Sequence, residues 1–101
     1  MAVNQLKIVV SILRELSDGN PFPKATDYDM DNNAYYAILE AMQDDNLVKN
    51  IMFQHDSTGK VIAAFPGSAT VTIKGMEYLN ENSALAKTYK GLKEVREWLP
   101  F

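Results

Sequence analysis

An α+β fold follows from three features of the sequence. Apolar residues recur at helical spacing early in the chain, two β-rich runs flank a short polar turn in its middle, and a threonine-led apolar segment opens its last third. At 101 residues the length suits one domain, and 47% hydrophobic with 23% charged residues is an ordinary globular balance. Cysteine is absent, which rules out disulfides, thiolate zinc sites and cysteine nucleophiles and fits a reducing compartment.

In the first element Leu6, Val9, Val10, Leu13 and Leu16 line one side, while Lys7, Ser11, Arg14 and Glu15 fall on the other. The spacing predicts an amphipathic helix over 4–16, stopped by Gly19 and Pro21. Residues 20–28 contain two prolines and read as a loop with room for a short helix or strand. Asp29 or Asp31 can cap a second helix whose face carries Tyr35, Ile38, Leu39 and Met42 and which ends at 44–46. Residues 47–55 and 60–65 read as two strands joined at Asp56-Ser57-Thr58-Gly59, where Gly59 supplies a positive φ. Pro66-Gly67-Ser68 ends the second strand.

Thr72 is a good N-cap for a helix over 73–80, with Ile73, Met76, Tyr78 and Leu79 on its apolar side. Gly75 weakens that helix, which implies that another backbone comes close to it. Ser83 can cap a last helix in which Leu85, Tyr89, Leu92, Val95 and Leu99 share a face before Pro100. Leu13, Leu39 and Leu79 are expected in the core, with Leu99 packed on the first helix. The order helix, loop, helix, hairpin, helix, helix is the winged-helix plan: a helical core, a β-hairpin wing and an added C-terminal helix. No apolar stretch is long and uncharged enough for a membrane span or secretory signal, so a cytoplasmic protein is expected.

Three segments resemble the YjcQ family. They are the opening run 6–19 (LKIVVSILRELSDG), the stretch 72–83 (TIKGMEYLNENS) and the tail 89–98 (YKGLKEVREW). Together they span nearly the whole chain, and the loop after Asn20 departs from the family's pattern. The resemblance implies a small winged-helix domain of Gram-positive bacteria and their phages, a family with no settled biochemical role.

No constellation for catalysis stands out. Asp27, Asp29 and Asp31 resemble the start of a calcium-binding EF-hand loop, but Asn32 replaces its glycine and Ile38 its bidentate glutamate. These acids suit helix capping better. His55, the only histidine, is followed by Asp56 and Ser57, but adjacent residues at a hairpin tip cannot form a nucleophile–base–orienter line. Neither an enzyme nor a cofactor is expected.

Winged helices often dock one helix in the DNA major groove. Here residues 25–48 hold Asp27, Asp29, Asp31, Glu40, Asp44 and Asp45 and no base, and the net charge is −3. Repulsion from phosphate opposes docking of that helix. The cations left for a nucleic-acid alternative are Lys60 at the hairpin tip and Lys87, Lys90, Lys93 and Arg96 near the C-terminus, where Glu94 and Glu97 lie among them.

A protein-binding or assembly module is therefore the expected function, with a partner protein or a second copy of the chain as its ligand. Tyr36 lies off the apolar face of the second helix, with Glu40 and Asp44 on the same helix. Trp98 and Phe101 lie off the Leu85–Leu99 face and would form a small apolar patch. The competing expectation is that these rings cover gaps at the edge of the core.

Overall fold

The computed structural model describes residues 2–99. Helix α1 (Ala2–Ser17) closes through Gly19, with the amide of Asn20 on the Glu15 carbonyl and that of Gly19 on Leu16. The proline-bearing loop contains one 3₁₀ turn (Ala25–Tyr28), whose start is fixed by the Asp27 carboxylate accepting the Lys24 amide at 2.7 Å. Helix α2 (Asn32–Asp44) begins at Asp31, whose carboxylate accepts the Asn33 amide at 3.1 Å. Tyr35, Ile38, Leu39 and Met42 are all buried, as their spacing predicts. The helix ends in a reverse turn with Asn46 in the left-handed region, where the amides of Asn46 and Leu47 satisfy the carbonyls of Gln43 and Met42. Asp44 and Asp45, which oppose the helix dipole there, are both exposed to screening solvent.

The strand expected over 47–55 is broken. Strand β1 (Val48–Lys49) pairs antiparallel with β4 (Thr70–Val71), a strand the sequence pattern does not announce. Strand β2 (Met52–His55) pairs antiparallel with β3 (Val61–Phe65). Asn50, at φ 71°, turns the chain between β1 and β2. The side chain of Gln43 stands in for the missing strand partner: its Oε1 accepts the Ile51 amide at 2.9 Å and its Nε2 donates to the Ile51 carbonyl at 3.0 Å. At the tip, the Asp56 carboxylate accepts the Thr58 hydroxyl at 2.6 Å and the amides of Thr58 and Lys60 at 2.8 and 3.0 Å. These bonds hold its pKa below the usual carboxylate range.

Helix α3 (Ile73–Glu81) starts on Thr72, whose hydroxyl accepts the Gly75 amide at 2.9 Å and donates to the Asn46 carbonyl. The close backbone expected at Gly75 is that of Leu47: a β-carbon here would stand 2.2 Å from the Leu47 carbonyl oxygen. This contact turns the packed side of α3 toward Gly75, Tyr78 and Leu79, and it corrects the apolar face read from the sequence. Ile73 and Met76 are 76% and 53% exposed, and Leu79 is half-buried rather than central.

The single C-terminal helix is also corrected. Helix α4 (Ser83–Thr88) stops at Tyr89, a second 3₁₀ turn (Leu92–Glu94) follows, and α5 (Val95–Trp98) is one short turn. Gly91, at φ 107°, makes the bend; the sequence spacing of Leu85 to Leu99 conceals it. Asn82 rather than Ser83 occupies the cap position of α4, and its side chain donates to the Tyr78 carbonyl instead. The bent segment folds over the side of α1 that the sequence assigns to solvent. Lys7, Ser11 and Glu15 are consequently buried, with Lys7 only 3% exposed. Lys7 donates to the Trp98 carbonyl, Tyr89 donates to Glu15 Oε2 at 2.7 Å, and the Ser11 and Tyr28 hydroxyls meet at 2.8 Å. Val95 and Leu99 are buried in the same layer, so Leu99 does join the core. The architecture is α+β, with helices around α1 and a two-part β-ribbon projecting beside α2, and is consistent with the winged-helix plan.

Gly to Ala within an exposed helix stabilises by roughly 1 kcal/mol. Gly75→Ala instead destabilises, by about 1–3 kcal/mol, because the added methyl overlaps the Leu47 carbonyl. Urea denaturation checks the sign, and a gain in stability would refute the close contact.

Burial raises the phenols of Tyr28, Tyr35 and Tyr89 above the ordinary tyrosine range, with the Glu15 bond adding to the rise at Tyr89. An unfolded tyrosine ionises near pH ~10, so above that pH the folded chain holds more protons than the unfolded one and stability falls as pH climbs. In an alkaline titration the phenolate absorbance of these three rings therefore appears together with loss of helical ellipticity. Their ionisation at ordinary pH in a chain with full ellipticity would contradict the burial.

Candidate functional site

Tyr36 and Glu40 lie one turn apart on the α2 surface that meets the ribbon. Glu40 Oε2 is 2.8 Å from Nε2 of His55 at the end of β2, which ties the helix to the ribbon near its tip. His55 is exposed, as expected for a strand end. Asp44 is exposed at the C-terminal end of the helix.

Tyr36 also walls a cleft of about 310 Å³ between α2, the proline-bearing loop and β3. Phe22, Pro23, Tyr35, Leu39, Ala64 and Pro66 make its apolar lining. The Tyr35 hydroxyl donates to the Pro23 carbonyl at 2.6 Å, which fixes the loop against the helix and removes the phenol as a free donor. Lys24 and Asn32 bring polar groups to the cleft. Sequence reasoning finds Tyr36 here but misses Phe22, Pro23, Ala64 and Pro66. Two prolines bracketing an aromatic residue in a loop were the available signal.

Trp98 belongs elsewhere. Its ring meets Tyr89 edge-on at 5.0 Å between centroids, its Nε1 donates to the Thr88 hydroxyl at 2.7 Å, and the Lys7 ammonium lies 4.9 Å from its centre. The ring is half-buried against the chain's own core. Phe101 lies outside the described residues.

The cations proposed for nucleic acid are spread over several elements. Lys60 sits beside the hairpin tip, Lys87 on α4, Lys90 in the bend, Lys93 in the second 3₁₀ turn and Arg96 on α5. All five are exposed, and the Arg96 guanidinium donates to the Thr26 carbonyl at 2.7 Å. The bend places Lys87, Lys90, Lys93 and Arg96 on separate short elements rather than around one helix.

A second apolar surface went unforeseen. Met52 and Phe65 are direct partners in the β2–β3 ladder, so they share one face of the ribbon, and they are 72% and 57% exposed. Phe53 and Ala64, the next pair, occupy the other face and pack toward the core. Ile73 and Met76 add exposed apolar area on α3. Alternation along the two strands already contains this signal, but the register needed to use it depends on the break at Asn50.

Among the described residues no group of three or more His, Asp and Glu side chains is placed to hold a metal ion. Nor, among them, is any helix long and apolar enough to cross a membrane.

The YjcQ protein family matches residues 10–98 of this chain. An uncharacterized protein YjcQ from Bacillus subtilis (strain 168) is 23% identical over 97 residues, covering 96% of this chain and 99% of its own length. No solved structure matches the chain. With the second half of α1, helices α2 to α5, the ribbon and the Thr72–Gly75 contact inside the matched span, the chain belongs to the YjcQ family.

Proposed function

We propose that the chain is a non-catalytic protein-interaction module. The observation that carries this reading is the cross-strand pair Met52–Phe65, two large apolar side chains side by side on the open face of the ribbon. Burying such side chains contributes roughly 1.5–3 kcal/mol each, so leaving them in water has a cost that a partner surface removes. Ile73 and Met76 offer a further apolar contact from α3.

The charge distribution also favours a protein over a polyanion. Six acids and no base lie between residues 25 and 48, and α2 occupies that span. The C-terminal cations are interleaved with Glu94 and Glu97.

Affinity capture of the chain from its native host, compared with Phe65→Asp, tests this. The expected result is a defined protein recovered with the wild type and lost with the variant, while circular dichroism of the two chains agrees. Recovery of nucleic acid that disappears when Lys87, Lys90 and Lys93 are neutralised would overturn the reading.

A further inference from the structure

We propose that a pocket at the junction of α1, α2 and α3 binds a primary alkylammonium group, an apolar stem ending in a cation. The pocket shares no residue with the cleft beside β3 or with the Met52–Phe65 face, and it goes beyond the reading of the chain as an interaction module.

The pocket arises where the three helices meet, a common place for ligand sites. Leu6 and Val9 of α1, Ile38 and Met42 of α2, and Leu47 just after α2 supply its apolar wall. Val9, Ile38, Met42 and Leu47 belong to the core, so packing holds this wall in place. Its volume of about 250 Å³ lies just under the roughly 300–1,000 Å³ of ligand pockets, which suits a short stem better than a ring system.

The polar groups come from one residue of each helix end: Gln5, Asp45 and Tyr78. Asp45 is exposed, and it carries the one charge among the described residues of this lining. It lies close enough to Tyr78 for its charge to add to the burial that raises that phenol. Carboxylate, carboxamide oxygen and phenol oxygen can accept the three protons of an ammonium. Among the described residues no other hydrogen-bond partner competes for these side chains. Cations near in sequence stay out of the pocket. Lys7, beside Leu6, is turned to the Trp98 carbonyl, and Lys74, one turn before Tyr78, does not line it.

Asp45 also stands where an acid is unfavourable. It caps the negative end of α2 with Asp44 beside it, and neither carboxylate has an ion-pair partner among the described residues. A cation bound at Asp45 relieves that opposition. A carboxylate ligand is repelled there, and an alcohol gains nothing from the charge.

The probe is n-pentylamine, titrated into the full chain near neutral pH at low salt and followed by amide NMR shifts. Saturable shifts are expected at Leu6, Ala41 and Tyr78, with the weak affinity proper to so few atoms. Pentanol and pentanoate bind about three- to tenfold less tightly, and salt weakens the amine without affecting the alcohol. Asp45→Asn removes the preference for amine over alcohol, whereas Asp44→Asn keeps it. Both positions are exposed, so both variants retain the circular dichroism of the parent chain. A lysine blocked at both ends forms the second arm. Binding tighter than pentylamine identifies a protein side chain as the source of the ammonium, and weaker binding identifies a free amine. Equal affinity for pentanol and pentylamine, shifts confined to other surfaces, or no saturable shift would each overturn the proposal. So would an Asp45→Asn chain that loses stability yet binds the amine unchanged, since the carboxylate would then serve the amino end of α1, one turn before Gln5.

Discussion

The Leu47 carbonyl accepts the amide of Thr72 and occupies the space in which a side chain on Gly75 would stand. One short stretch of backbone thereby joins the end of α2, the root of the ribbon and the start of α3. The left-handed turn at Asn46 aims the chain at this point, and the Thr72 hydroxyl completes the junction by bridging Asn46 and Gly75. Both ends of the ribbon leave from here as β1 and β4, so their antiparallel pairing is fixed at its base. The orientation of α3 follows too. With Gly75 pressed on Leu47, the helix can turn only Tyr78 and Leu79 inward, and Ile73 and Met76 are left outside.

Local physics was legible in the sequence where one element decides its own face. The α2 stripe of Tyr35, Ile38, Leu39 and Met42 is buried as its spacing requires, the turn ending in Gly59 lies where its residues place it, and Gly75 signalled a close backbone. The reading failed where distant residues decide. Lys7, Ser11 and Glu15 are polar and sit opposite the apolar stripe of α1, yet all three are buried: a segment more than 70 residues later gives Lys7 and Glu15 polar partners, and Tyr28 gives Ser11 its own. The spacing of Leu85, Leu92 and Leu99 suits one helix, yet the chain turns extended at Tyr89 and takes a positive φ at Gly91. Within the candidate site, Tyr36 and Glu40 stood out as residues of one helix surface. The cleft needed Phe22, Pro23, Ala64 and Pro66 from two other segments, whose approach to α2 no local pattern encodes.

The ribbon divides its labour by face. One side, with Phe53 and Ala64, anchors to α2 and helps wall the cleft, while the other carries Met52 and Phe65 into solvent. Gln43 makes this possible, because its amide supplies both hydrogen bonds at Ile51 and lets the ribbon change pairing without leaving a buried donor unmet. The ribbon is thus supported by α2 twice, by Gln43 at its root and by Glu40 near its tip.

The cover over α1 has a kinetic side. Two of its polar contacts, Tyr89 on Glu15 and Lys7 on the Trp98 carbonyl, join residues 74 and 91 positions apart. Contacts that distant require a large loop to close before they return any energy, and they slow the search for the native state. Until closure, α1 has one apolar and one hydrated side, the ordinary amphipathic helix its sequence describes. The segment from Tyr89 to Leu99 thus covers two charged side chains, Lys7 and Glu15, that are hydrated whenever it is away from α1.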